Sequence, residues 1–269
     1  MSTAPSALPL LALRITAGPV ELRGITDDLL GPIADLALDI HDPDFMPFFG
    51  PWSLSSPRDM PRVVAQYYWG LRASFSPAKW SADFAVFYEG ELAGVQGFAA
   101  TDYLILRTGE TGSWLGRRFQ GNGIGTAMRQ VICAFLIDHV GARHIASAAF
   151  ADNPASLAVS RKTGYADNGS EPFNRMGKPA TLRRIVLEPA NLVRYQHPLT
   201  VDGLPPFRKS IGLEEETARL SRTVRCFALS APQTPHLPGQ ARPVSVERPA
   251  FAAFADRRTR CFSALSRFA

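Results

Sequence analysis

Apolar and polar positions along this chain fall into short blocks whose period switches between two and about 3.6, the periods of strand and helix. Val20-Glu21-Leu22-Arg23 alternates as a half-buried strand does. Thr26 then stands where a helix N-cap belongs. Asp27 and Asp28 follow in the first turn, where the positive helix end favours carboxylates. Asp42–Trp52 holds three prolines and a glycine, so it reads as a loop, and an aromatic one. Val63–Ser74 reads as a second helix. Phe84–Tyr88 and Leu92–Phe98 flank Glu89-Gly90-Glu91, a hairpin signal. Tyr103–Arg107 and Glu110–Leu115 read as further strand. Gly123 to about Val140 reads as a helix with Ile124, Met128, Val131 and Phe135 on one stripe, ended by Gly141. His144–Phe150 is strand-like. A short helix follows, with Asn153 at its N-cap, Pro154 at its first position and Gly164 just past its end. Tyr165 onward and Thr181–Leu187 read as two last strands. This order predicts an α/β fold with a mixed sheet.

The patterned body runs from about residue 15 to 190. Residues 1–14 read as a flexible leader and 191–215 as an extension packing on the body. From 216 the chain changes to Arg, Ala, Ser and Pro without periodicity, the composition of a disordered or weakly helical tail. An out-of-frame reading of a GC-rich gene has the same composition. In Thr217–Ala269 nine arginines face Glu247 and Asp256, so this segment carries 9 − 2 = +7. The formal charge of the whole chain is +5, which leaves 5 − 7 = −2 for the body. The basic excess therefore belongs to the tail, and the body lacks the charge of a nucleic-acid binder. Apolar residues make up 46% and charged residues 20%, as in ordinary globular proteins. No apolar run reaches the roughly 20 residues that span a bilayer. The first residues lack the basic start and cleavage site of a signal peptide. Cys133, Cys226 and Cys261 are few and far apart, so neither a disulfide framework nor a metal site is expected. A reducing cytoplasm is the expected compartment.

The segment from Trp114 to Thr126 carries the chemistry. Gly121, Gly123 and Gly125 let the backbone turn tightly and bring its N–H groups close to a ligand. The helix that starts there points its unpaired N–H groups and positive end at the same spot. A strand, a glycine loop and a helix in that order make a phosphate site. The dinucleotide fingerprint fits poorly. Its sixth position, counted from Gly121, is Thr126, and no acidic residue stands near residues 143–147. The P-loop fits poorly too, since this loop has no lysine.

The loop resembles that of the GNAT superfamily of N-acetyltransferases, whose motif is Gln/Arg-x-x-Gly-x-Gly/Ala; here it is Gln120-Gly121-Asn122-Gly123-Ile124-Gly125. Glu110-Thr-Gly-Ser-Trp-Leu115 is similar to the strand before the loop in the RimJ/RimL-like branch. Asn153-Pro-Ala-Ser156, Arg161-Lys-Thr-Gly-Tyr165 and Gly90-Glu91-Leu-Ala-Gly94 are similar to that branch's Asn-x-x-Ser helix, its closing Gly-Tyr and its central hairpin. The resemblance covers roughly residues 15–190. It implies a mixed, mostly antiparallel central sheet with a splayed parallel strand pair and flanking helices. It implies acetyl-CoA as co-substrate and an amine as acceptor, either a protein N-terminus or a small molecule. The pyrophosphate would lie on the backbone N–H groups of Gln120, Gly121, Asn122, Gly123, Ile124, Gly125 and Thr126. The pantetheine arm would lie in the splayed gap beside Leu115, touched by Asn153.

Acetyl transfer to an amine requires loss of the ammonium proton, donors for the oxyanion and departure of the thiolate. Direct attack in a ternary complex is the family's usual route. Cys133 lies mid-helix, which argues against a covalent acyl-enzyme. The oxyanion donors expected are backbone N–H groups around Leu115 and Gly116. Glu110 matches a glutamate that relatives use as general base; it also reads as a solvated strand-edge carboxylate. Ser156 matches a serine assigned to the thiol sulfur; it also reads as a first-turn hydroxyl. Where many members carry a tyrosine general acid, seven residues after the asparagine, this chain has Ser160, a departure. Tyr165 suits core packing better than that role. His41 and His144 read as structural or surface residues. Phe45–Trp52, Tyr67, Tyr68 and Trp69 either line an acceptor pocket or pack the core. The competing reading is a non-catalytic acyl-CoA-binding module of the same fold. No metal, nucleic acid or membrane enters either reading.

Overall fold

The computed structural model describes residues 7–214. The arginine-rich tail expected from residue 216 lies outside the described residues. The elements in chain order are β1 (Arg14–Ala17), β2 (Val20–Gly24), α1 (Asp27–Leu36), α2 (Met60–Ala73), β3 (Lys79–Tyr88), β4 (Glu91–Thr101) and the single turn α3 (Tyr103–Leu106). They continue with β5 (Thr108–Leu115), α4 (Ile124–Phe135), β6 (His144–Phe150), α5 (Pro154–Thr163), β7 (Ala166–Arg175), β8 (Lys178–Leu187), β9 (Thr200–Asp202) and α6 (Leu204–Ser210). The described strands form one sheet in the order β7-β8-β6-β5-β4-β3-β2-β1-β9. Its neighbours pair antiparallel except β5 and β6, which run parallel.

Both faces of the sheet are covered, which is why β3 and β4 read as nearly continuous apolar runs. On one face α4 lays Ile124, Met128, Val131 and Phe135 against Leu22, Phe84, Val86 and Phe98. On the other, α1 and α2 lay Leu30, Ile33, Met60, Val64 and Tyr68 against Ala85, Phe87, Val95 and Trp114. Helix α4 runs into a π turn at Leu136–Val140 and stops at Gly141, whose φ of +79° suits glycine. Helix α5 has the punctuation its sequence announces. The Asn153 side chain accepts from the Ser156 N–H at 3.1 Å, and Gly164 sits at φ +106°. A side chain at Gly164 would place its first carbon 1.9 Å from the Asn191 carbonyl oxygen.

The structure corrects two expectations. Residues 8–14 are not a loose leader. Pro9–Ala12 form a 3-10 turn, Leu11 and Leu13 are buried, and Arg14 already belongs to β1. This segment packs closely because Gly24 has no side chain to collide with the Leu10 carbonyl, and its N–H donates to the Leu13 carbonyl at 3.0 Å. Tyr103–Arg107 is a helical turn rather than strand, bounded by Asp102 and Arg107, both at φ +52°. Tyr103 is pulled inward against Trp80 and Phe98, and its hydroxyl donates to the Val140 carbonyl at 3.3 Å. Core packing there overrides the strand preference of an aromatic run.

The C-terminal extension closes the far edge. Its β9 pairs with β1, and α6 drives Phe207 into the core against Trp80 and Phe135, at centroid distances of 5.8 and 6.2 Å. Phe207→Ala is expected to lower stability by about 3–5 kcal/mol, read as a shift of the urea midpoint. A shift below about 1 kcal/mol would show that this extension is not part of the cooperative unit.

One acid is buried under α2. Asp83 accepts from the Tyr67 hydroxyl at 3.2 Å through Oδ2, while its Oδ1 finds no partner among the described residues. Burial pushes its carboxyl up to about 7 from an ordinary 3.8, against a smaller downward pull from Tyr67. Between those values the folded chain holds a proton that the unfolded chain releases, so stability falls as pH rises through that window and then levels. Asp83→Asn is expected to remove that fall. Urea midpoints of wild type and variant, compared from pH 5 to 8, should diverge; parallel curves would contradict it.

Candidate active site

Strands β5 and β6 pair only at Thr108 with His144, Gly109 with Ile145 and Glu110 with Ala146. Beyond that point β5 runs on to Leu115 and β6 to Phe150 without backbone pairing to each other. The open stretch from Thr111 to Leu115 spans about 16 Å. Two parallel strands diverge in this way when something else can satisfy the backbone groups along the gap.

The glycine loop stands at the wide end of this gap. Gly121 and Gly123 have φ of +79° and +81°, and a side-chain carbon added at either meets nothing within 4 Å. Glycine is therefore needed there for backbone conformation and leaves open space above the loop. Gln120, Gly121, Asn122 and Gly123 are all exposed. The Gln120 amide donates to the Arg117 carbonyl at 3.1 Å and the Thr126 amide to the Gly123 carbonyl at 3.0 Å. The amides of Gly121, Asn122, Gly123, Ile124 and Gly125 donate to no backbone acceptor among the described residues. Five adjacent N–H groups at a helix N-terminus make an anion cradle. The Gln120 side chain is a clamp, with Nε2 donating to the carbonyls of Leu115 and Ile40, both at 2.8 Å. A side-chain carbon added at Gly125 would lie 3.4 Å from Val159 of α5 and 3.6 Å from Leu115, ordinary contact distances, so this third glycine is not demanded by backbone conformation or by a clash.

The remaining sequence candidates fall around the same gap. Glu110 stands at its apex, opposite Ala146, and its carboxylate lies 3.6 Å from Arg184 Nη1. Ser156 lies on the first turn of α5, which follows the end of β6. Ser160 is buried, its hydroxyl donating to the Ser156 carbonyl at 3.0 Å. Tyr165 is core, with its hydroxyl 2.9 Å from Thr111 Oγ1. Burial pushes the Cys133 thiol up to about 11, which suits a packing residue rather than a nucleophile. His41 is structural: its ring nitrogens meet the Asp42 carbonyl and Ser53 Oγ at 2.8 and 2.7 Å. His144 sits at the surface, 2.8 Å from Glu188. Among the described residues no cluster of three His, Cys, Asp or Glu could hold a metal, and no helix is long and apolar enough to cross a membrane.

The aromatic loop 42–54 bridges the two diverging strands at their far ends. Trp52 packs at 6.0 Å from Trp114 of β5, while Phe49 packs on Phe150 of β6 and Phe173 of β7 at 5.7 and 5.2 Å. Arg175 ties the loop down, donating to the Met46 carbonyl at 3.3 Å and to Asp152 at 2.5 and 2.9 Å. One face of the gap is thereby walled.

Sequence patterns did not reveal what lies behind the apex. Arg129 of α4 is buried and reaches four neutral oxygens. Its Nε donates to Gln96 Oε1 at 3.3 Å and its Nη1 to Thr111 Oγ1 and Ser147 Oγ, both at 3.2 Å. Its Nη2 donates to Ser113 Oγ at 2.7 Å. Thr111 and Ser147 in turn stitch the two strands where their backbone pairing stops. Thr111 Oγ1 donates to the Ala146 carbonyl at 3.3 Å, and Ser147 Oγ to the Thr111 carbonyl at 2.9 Å. An arginine at an α4 position interrupting an apolar stripe is the one signal in the sequence that could have pointed here.

Comparison with known proteins agrees with this geometry. The family model described as an acetyltransferase (GNAT) domain matches residues 20–166, more than half of the chain. Among solved structures, a RimL ribosomal L7/L12 alpha-N-protein acetyltransferase in complex with coenzyme A is 21% identical with a TM-score of 0.53, covering 63% of this chain and 94% of its own. Mycobacterium smegmatis RimJ, in complex with CoA-disulfide, is 19% identical with a TM-score of 0.53, covering 68% and 88%. A putative ribosomal-protein-serine acetyltransferase from Vibrio cholerae is 18% identical with a TM-score of 0.51, covering 65% and 97%. At these identities the likeness speaks for the fold.

Proposed function

This chain belongs to the GNAT family and is an acetyl-CoA-dependent N-acetyltransferase, and from that premise we propose that the gap between β5 and β6 is its active site. The observation that carries this reading is the loss of β5–β6 pairing beyond Glu110 and Ala146, beside a loop of five unbonded amides. The pyrophosphate takes the amides of Gly121, Asn122, Gly123, Ile124 and Gly125. Gln120 and Thr126 support that cradle, Gln120 by clamping the loop and Thr126 by closing the first helical turn. The pantetheine arm runs down the gap past Leu115. The Asn153 Oδ1 is engaged by its helix cap, which leaves its side-chain N–H groups to donate to the arm.

The acceptor is a primary amine, on a protein N-terminus or a small molecule. It approaches from the face that carries Glu110 and the aromatic loop. Glu110 takes its proton, directly or through water, and the amine attacks the thioester carbonyl in a ternary complex. Of the expected oxyanion donors around Leu115 and Gly116, the Gly116 amide already donates to the Ala93 carbonyl at 2.9 Å, so the oxyanion takes a β5 amide that faces the open gap. Ser156 Oγ lies on the helix that caps the sulfur side.

Free thiol released from acetyl-CoA with a panel of amines and N-terminal peptides tests the reaction. Turnover above background with at least one acceptor is expected. CoA binding without turnover on any acceptor would instead favour a non-catalytic acyl-CoA-binding module, a reading suggested by Ser160 standing where relatives have a tyrosine. Gly123→Glu puts a carboxylate into the cradle and is expected to abolish acetyl-CoA binding in calorimetry while leaving a cooperative melt. Unchanged affinity would sink the site assignment.

A further inference from the structure

Arg129 is a buried cation with no carboxylate partner among the described residues, and its exposure is only 4%. A buried charge that is not paired carries a heavy desolvation penalty, and hydrogen bonds to neutral oxygens offset only part of it. Three of its four acceptors are already committed in a direction that turns a lone pair towards it. Gln96 donates its amide to the carbonyls of Gly97 and Gly112 at 2.9 and 3.1 Å, and Thr111 and Ser147 donate to backbone carbonyls. The network is therefore built to hold a guanidinium rather than to neutralise it. Four bonds also leave one of the five N–H groups, on Nη2, without an acceptor among the described residues. That nitrogen is the one bonded to Ser113, a half-buried residue on the open part of β5.

An acyl donor seated on the loop amides and running down the gap brings its sulfur towards this apex. The geometry points to a charge role for Arg129: its guanidinium stabilises the sulfur anion that leaves during acetyl transfer. This rests on the acetyltransferase reading above. In the step itself the amine nitrogen forms the bond to the carbonyl carbon and loses its proton to Glu110 or water. The C–S bond breaks with its electron pair going to sulfur, so coenzyme A departs as a thiolate beside a positive field and needs no immediate proton donor. This accounts for a chain with Ser160, itself buried and bonded to Ser156, in place of an acid. Arg129 acts from behind Ser113 and is a positioning residue of the field rather than a group that touches substrate.

The other ionisable groups near the guanidinium do not cancel it. Burial holds Tyr165 and Cys133 in their neutral forms, and Glu110 projects from the opposite face of β5, with Arg184 beside it.

The test compares coenzyme A with desulfo-coenzyme A by calorimetry on the full chain between pH 6 and 8.5. A free alkyl thiol titrates at about 8.5. If the guanidinium favours the thiolate, the preference for coenzyme A over the desulfo compound should rise about tenfold across that range. Arg129→Gln should flatten this rise, and Arg129→Lys, which keeps the charge, should retain most of it. A purely structural lock would change both affinities together and leave their ratio untouched. A flat ratio in the wild type overturns the proposal whether or not Arg129→Gln folds, as does a rise that survives in Arg129→Gln. Absence of binding for both compounds would overturn the acetyltransferase site itself, and the desulfo arm separates that outcome from the first.

Discussion

Two parallel strands that begin paired and then part company set the constraint on which the site depends. After Glu110 and Ala146 the β5 and β6 backbones share no ladder, and side-chain bonds from Thr111 and Ser147 hold the apex of the fork. An unpaired backbone edge inside a covered sheet is costly unless a ligand or water completes it. The other parts of the site sit around that opening: the glycine loop at its wide end, helix α5 along one side, the aromatic loop across one face. Each is held by contacts that do not involve the gap itself, so the opening is kept before any ligand arrives.

The same economy of roles appears in the loop. Gln120, the first residue of the motif, spends its side chain and its amide on internal bonds, and its neighbours keep theirs free. Gly121 and Gly123 supply backbone freedom and empty space, whereas at Gly125 a side-chain carbon would meet Val159 and Leu115 at ordinary contact distances. Three glycines that look alike in a motif are thus not equally demanded by the fold. Arg129 extends the pattern to charge. A cation placed in a core without a counter-ion is tolerated when rigid neutral acceptors surround it, and its field then falls on whatever occupies the gap in front.

Much of the site was legible in the residues. Periodicity placed β2, the β3–β4 hairpin, α4 and β6. Asn153, Pro154 and Gly164 marked the limits of α5 because capping is a local matter of backbone hydrogen bonds. Positions where one residue satisfies two partners were hidden. Tyr103 reads as strand but serves as a core plug in a helical turn, and Leu8–Leu13 reads as a leader although Gly24 admits it to the core. Neither outcome follows from neighbours in sequence, since both depend on what stands across the fold.

Taken alone, the chain's residues determined the class of element at each stretch, the glycine-lined anion cradle and the family resemblance, because those rest on interactions within a few residues. Tertiary structure decided which amides of the cradle stay free, where the β5–β6 pairing stops, and that Arg129 and Asp83 are buried without an opposite charge beside them. Those outcomes depend on groups brought together from distant parts of the chain, where packing and solvent exclusion, not local preference, set the energy of each hydrogen bond and charge.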